Sequence, residues 1–146
     1  MKKKAFKILL GLFVAILMIL TGCKKDSDDS VDDADKFVGN YSAVLTLTFT
    51  VGQTITATGD YVIKKTAADK ILIVDADGIS TIYTVNGNTI TEDGGQTSDL
   101  PLAAGGSSTF DENSIGVLNG IIITINGTYT KTGYVSPTFK VVLTKK

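Results

Sequence analysis

The chain has 146 residues and a formal net charge of −1, from 14 Lys against 15 acidic residues, with no Arg, His or Trp. The absence of His, together with a single cysteine, Cys23, removes Ser–His and Cys–His nucleophilic catalysis and zinc sites built from His and Cys. No basic cluster follows the N-terminus, so nucleic-acid binding has no electrostatic footprint. In chain order, Lys2, Lys3, Lys4 and Lys7 make a basic start, and Ile8 to Leu20 is apolar apart from Gly11. A basic start, a short apolar core and small residues at its end predict a secretory signal over residues 1–22. A permanent transmembrane anchor is the competing reading. The apolar run falls short of the roughly 20 residues a spanning helix needs, and Lys24 and Lys25 cut it off.

The run ends in Leu20-Thr21-Gly22-Cys23. An aliphatic residue, a small or polar residue, Gly and then Cys resemble the signal of bacterial lipoproteins. That resemblance implies cleavage before Cys23, a diacylglyceryl thioether on its sulfur, and an acyl chain such as palmitate on its new amino group. Stable membrane attachment takes two signals, which such a modification supplies. It also consumes the chain's only thiol, so disulfides and thiol catalysis are not expected.

Residues 24–35 read Lys-Lys-Asp-Ser-Asp-Asp-Ser-Val-Asp-Asp-Ala-Asp, and six of the twelve are Asp. A segment this charged and this poor in apolar side chains cannot repay its ordering entropy, so residues 23–35 are expected to be a lipidated, extended tether. An acidic run just after the lipid cysteine also resembles the export signal of lipoproteins carried to the outer face of the outer membrane. The alternative is a spacer on a lipoprotein facing the periplasm. Lys24 directly after Cys23, by resemblance to lipoprotein sorting rules, disfavours retention in the inner membrane.

Residues 36–146 are then one domain, of a size that supports a single core. It carries 8 Lys and 9 acidic residues, a net of −1. Thr, Val, Ile and Tyr are spread through it and Gly and Asn-Gly punctuate it, a composition that favours strands and tight turns. Ala43, Leu45, Leu47, Phe49 and Val51 alternate with Val44, Thr46, Thr48 and Thr50, the period-2 pattern of a half-buried strand. Ile55 to Lys64 continues the pattern after a turn at Gly52, with Gly59 expected as a bulge or bend. Ile71–Val74, a two-residue hairpin at Asp77-Gly78, Ile79–Val85, a turn at Asn86-Gly87-Asn88 and Thr89–Glu92 follow. Residues 93–108 read as a long loop in which Leu100-Pro101-Leu102 is an apolar island: a lid, a docking point, or a cover for the end of the core. Thr109–Glu112, Ser114–Leu118, Ile121–Thr130 and Thr138–Leu143 complete the set, with a turn at Asn119-Gly120 and a bulge expected at Asn126-Gly127. The sequons at Asn40 and Asn126 read as turn or bulge residues.

About eight strands joined by short turns predict an all-β, antiparallel meander that closes into a barrel. Phe37-Val38-Gly39-Asn40-Tyr41 leading into the first strand, with Asn126-Gly127-Thr128-Tyr129 and a closing strand to Leu143, resembles small lipocalin-like, calycin-like barrels of bacterial lipoproteins. Phe37 stands where lipocalins proper carry Trp. A β-sandwich is the alternative fold.

Asp75-Ala76-Asp77-Gly78 looks like the opening of a calcium loop, but Ile79 and Thr81 fall where oxygen ligands belong, so a turn is the expected role and no metal site is assigned. Glu92, Asp93, Asp99, Asp111 and Glu112 are candidates in principle for a glycosidase pair, but scattered acids on a small domain are usually solvated; no catalytic residue and no cofactor are assigned. The expected function is a lipid-anchored, non-enzymatic envelope lipoprotein. Its barrel would hold a small hydrophobic ligand at residues the sequence does not identify. Ala43, Ala57 and Gly59 would leave room inside, and Phe49, Tyr61 and Tyr83 would line the space. The alternative is a protein-interaction role as an adhesin or accessory subunit of an outer-membrane complex.

Overall fold

A computed structural model describes residues 32–49, 52–94, 96–101 and 106–146. The signal segment, Cys23, residues 24–31 of the tether and Leu102 lie outside the described residues. A 3₁₀ turn, Asp33–Phe37, leads into β1 (Gly39–Thr48), β2 (Thr54–Ala67), β3 (Lys70–Val74), β4 (Ser80–Asn86), β5 (Thr89–Glu92), β6 (Thr97–Pro101), β7 (Ser107–Asn119), β8 (Ile122–Thr130) and β9 (Thr138–Lys145).

Every strand pairing is antiparallel, in the order β5-β4-β3-β2-β1-β9-β8-β7-β6. β5 also pairs with β7 through Thr89↔Val117, Ile90↔Gly116 and Thr91↔Ile115. That seam closes eight strands into the expected lipocalin-like meander barrel and leaves no β-sandwich. Closure consumes the exposed edges that an open sheet of this size would present. β6 is the ninth strand. It runs on from β5 along the same flank of β7, so the expected loop at 93–108 contains a strand, Ser98↔Phe110 to Pro101↔Ser107. β7 likewise merges the two separate strands expected at 109–112 and 114–118.

Gly116 makes the seam sterically feasible. A Cβ there would lie 2.7 Å from Ile90 Cγ1 and 2.9 Å from Ile125 Cγ1. Two expected bulges are absent. The β1–β2 register runs unbroken past Gly59, and the β7–β8 register runs unbroken past Gly127. Each glycine instead admits a neighbour, Ala76 Cβ at 2.9 Å from a Cβ built on Gly59 and the Phe139 ring over Gly127. The irregularity in β2 lies between Lys65 and Ala67. Asn40 and Asn126 sit inside regular strands, not in turns or bulges. The Asp77-Gly78 turn is longer than two residues. It spans Asp75–Ile79, Gly78 takes a φ of +83°, and Asp75 Oδ1 accepts the amides of Asp77 and Ile79 at 2.9 and 2.8 Å.

The folded body begins before Lys36. Asp32–Asp35, expected in the tether, belong to it: Ala34 is fully buried, and Lys65 Nζ reaches Asp32 at 2.5 Å and Asp35 at 2.9 Å. The 3₁₀ turn closes one end of the barrel. Phe37 and Tyr41 are fully buried there with Ile63, Ile71, Ile90, Ile123 and Leu143, and the Tyr41 hydroxyl donates to the Phe37 carbonyl at 2.7 Å. Among the described residues these are the largest completely buried side chains. The opposite half is built differently.

Candidate functional site

At the end away from the 3₁₀ turn, the interior opens into a cavity of about 710 Å³. This is within the usual range for small-molecule sites. It arises because inward positions of β1, β8 and β9 carry moderate side chains, Leu45, Ile125 and Val141, with Ile73 of β3 opposite. Tyr61, Tyr83, Tyr129 and Phe139 add an aromatic wall, and Leu100 of β6 is buried along it. The rings of Tyr129 and Phe139 are 4.8 Å apart and tilted by 34°. The polar lining is Thr81, Thr97, Ser98, Thr109 and three carboxylates, Asp75, Asp99 and Glu112. No lysine is among the lining residues.

Strand parity decides which acids face inward. Glu92 shares the inner face of β5 with Ile90, and Glu112 shares that of β7 with Phe110 and Ser114. Ser98 Oγ donates to Glu112 Oε2 at 2.7 Å, and Tyr129 stands directly opposite Glu112 across the β7–β8 ladder. Beside them, the Tyr83 hydroxyl and Ser114 Oγ are 2.8 Å apart, and Ser114 Oγ donates to Glu92 Oε2 at 2.7 Å. Ser114 and Glu92 are the next residues past the last seam pair, Thr91↔Ile115. The polar chain therefore bonds side chain to side chain where the backbone ladder between β5 and β7 stops. Glu92 Oε1 is buried and lacks a hydrogen-bond partner.

Burial holds Glu92 and Glu112 above the ordinary carboxylate range, and the charge of Glu112 pushes Glu92 up further. Burial also raises the Tyr83, Tyr129 and Tyr61 hydroxyls. Nearby acids add to this: Glu92 and Glu112 act on Tyr83 and Tyr129, and Asp75, Asp77 and Glu112 act on Tyr61. The interior is thus a low-dielectric space under a negative field.

Among the acids singled out from the sequence, only Glu92 and Glu112 face the interior. Asp93 bonds Lys70 and Thr84 outside, Asp111 is exposed, and Asp99 accepts from Thr109 at 2.6 Å near the mouth. Asp75 is occupied by its turn. Tyr61 and Tyr83 line the cavity as expected; Phe49 falls in the β1–β2 turn, and Ala57 is exposed. Ser98, Ser114, Tyr129 and Leu100 were not legible as site residues, because their facing depends on a register that composition does not fix. Leu100 was legible only as part of an apolar island; it is buried along the cavity wall.

A second, more open hollow of about 800 Å³ lies on the barrel wall, rimmed largely by outward Thr46, Thr48, Asn126, Thr128 and Thr138, with Ile115 and Val117. Glu92 and Ser114 border this hollow, whereas Glu112 and Ser98 line the cavity.

No protein-family model matches the sequence, and no curated protein matches it.

Proposed function

We propose that the chain is a lipid-anchored lipoprotein of the cell envelope whose lipocalin-like barrel binds a small molecule without transforming it. The observation that carries this reading is the half-hollow interior: one end is packed solid around Phe37 and Tyr41, and the other holds a cavity of about 710 Å³ with an aromatic wall and convergent polar groups. A domain selected only to be a rigid spacer has no reason to leave a cavity of this size, because unfilled core volume destabilises.

The Leu20-Thr21-Gly22-Cys23 sequence supports attachment through Cys23, and the acidic run that follows favours the outer membrane and its outer face. Non-enzymatic binding is favoured because, of the two inward glutamates, only Glu112 lines the cavity, while Glu92 Oε2 is held by Ser114.

Two measurements test the proposal. Growth with labelled palmitate should label the wild-type chain and not Cys23→Ser; equal labelling of both removes the anchor. Native mass spectrometry of the chain purified from membranes, followed by denaturing mass spectrometry of the released extract, should reveal a bound molecule of defined mass. An unliganded barrel that also takes up no probe from a diverse small-molecule set overturns the binding reading and leaves the protein-interaction role.

A further inference from the structure

We infer that the ligand of the barrel is an organic cation: a molecule with a protonated amine or quaternary ammonium head and an apolar body. This rests on the ligand-binding reading above and specifies its chemistry.

The first support is the way the domain distributes its charges. Among the described residues outside the cavity, five acids pair with lysines, while Asp69, Asp77 and Asp111 do not. Lys36 pairs with Asp33, Lys65 with Asp32 and Asp35, Lys70 with Asp93, and Lys146 with Asp60. Of the acids that border the cavity, Glu112 faces in, Asp99 is exposed near the mouth and Asp75 is held by its turn; among the described residues none of them forms an ion pair. Lys131 is not among the lining residues; its ammonium bonds Ser108 Oγ and lies 5.8 Å from the Phe110 ring centroid and 5.2 Å from that of Tyr134. A cavity whose fixed charges are all negative repels carboxylates and phosphates and attracts cations.

The second support is an unused acceptor. Glu92 is only 8% exposed, and its Oε1 has no partner, while its Oε2 is held by Ser114 in the chain that reaches Tyr83 in the cavity wall. A buried acceptor without a donor is costly, and native proteins rarely leave one. Glu92 itself borders the second hollow, and it connects to the cavity through Ser114 and the Tyr83 hydroxyl.

The third support is the aromatic wall. Tyr61, Tyr83, Tyr129 and Phe139 surround the space that Glu112 borders. Aromatic faces attract ammonium groups, and more strongly when water is excluded. Leu45, Ile73, Ile125 and Val141 form the apolar remainder that would take the body of the molecule. A fatty acid would fit that remainder equally well, but its head group would face like charges.

The test uses three probes with the same ten-carbon chain: decylammonium, decanol and decanoate, titrated calorimetrically below their micellar concentrations at neutral pH. The protein is the mature chain from residue 23, with Cys23→Ser so that its own acyl chains do not compete. Decylammonium should bind at least tenfold more tightly than decanol, and decanoate most weakly. In Glu112→Gln the preference for decylammonium over decanol should collapse to within about threefold while decanol binding persists. If decanoate binds as tightly as decylammonium, the cation assignment is overturned while the binding reading stands. If all three fail to bind, both fall. Should Glu112→Gln not fold, the ranking of the three probes on the chain with native Glu112 decides alone.

Discussion

The ring of Phe139 fills the space that a side chain on Gly127 would need. A Cβ built on Gly127 collides with the ring and lies 2.8 Å from the Asn113 carbonyl oxygen. The same ring stacks against Tyr129 and lines the cavity. Gly127→Ala should therefore destabilise by about 1–3 kcal/mol, the usual cost of overpacking, and should weaken ligand binding by pushing Phe139 into the cavity. Urea denaturation checks the first effect. Adding Phe139→Leu should recover part of the stability, a favourable coupling that a double-mutant cycle measures.

The Tyr41 hydroxyl ties the 3₁₀ turn to β1 by its bond to the Phe37 carbonyl, and both residues are fully buried. Tyr41→Phe keeps the shape but strands that carbonyl, so a loss of about 1–3 kcal/mol is expected. Ser42→Ala, which removes an exposed bond of 3.4 Å to the Thr144 carbonyl, should cost far less. Equal losses in equilibrium unfolding would show that burial of the Tyr41 bond is not what matters.

Closure of the barrel depends on Gly116, which faces Ile90 across the seam. Gly116→Val should cost about 1–3 kcal/mol and, more specifically, should open the seam first. Hydrogen exchange should accelerate at Thr91 and Val117 before it does at the β1–β2 ladder. Uniform acceleration would place the damage elsewhere.

The unliganded domain should be more stable in mild acid than at neutral pH. Glu92 and Glu112 have their folded-state values raised above 4.5 by burial, so the fold favours their protonated forms. Their contribution is fully present below 4.5 and is lost as pH rises through the raised values. Asp33 and Asp93 act in the opposite sense. Their bonds to Lys36 and Lys70 lower them below 3.8, so their contribution is present above that value and disappears as pH falls through the lowered values. Melting temperature should therefore climb from pH 7 toward the mid-fours and drop at lower pH. The double variant Glu92→Gln, Glu112→Gln should melt higher at pH 7 and lose the upper slope, as thermal scans across the pH range would reveal.

The all-β meander was legible in the chain because alternation is local. Leu45 and Leu47 against Thr46 and Thr48 state their facing without reference to any other strand. The turns at Gly52, Gly87 and Gly120 were legible for the same reason, since each adopts a positive φ that glycine tolerates. The lipobox and the acidic run are linear signals read without a fold. Strand order and closure were also predictable in outline, because consecutive hairpins leave a meander few alternatives.

What only the tertiary structure decided is which groups meet. Glu92, Ser114 and Tyr83 are far apart in sequence and become one hydrogen-bonded chain because β5 and β7 close the barrel in one register; a shift of one residue would turn Ser114 outward. Gly59 and Gly127 looked like bulges because sequence marks a missing side chain without saying what occupies the space. Ala76 and Phe139 do. The contrast between a solid end and a hollow one is likewise tertiary. It depends on whether inward side chains from eight strands sum to the volume they enclose, and no window of the chain contains that sum.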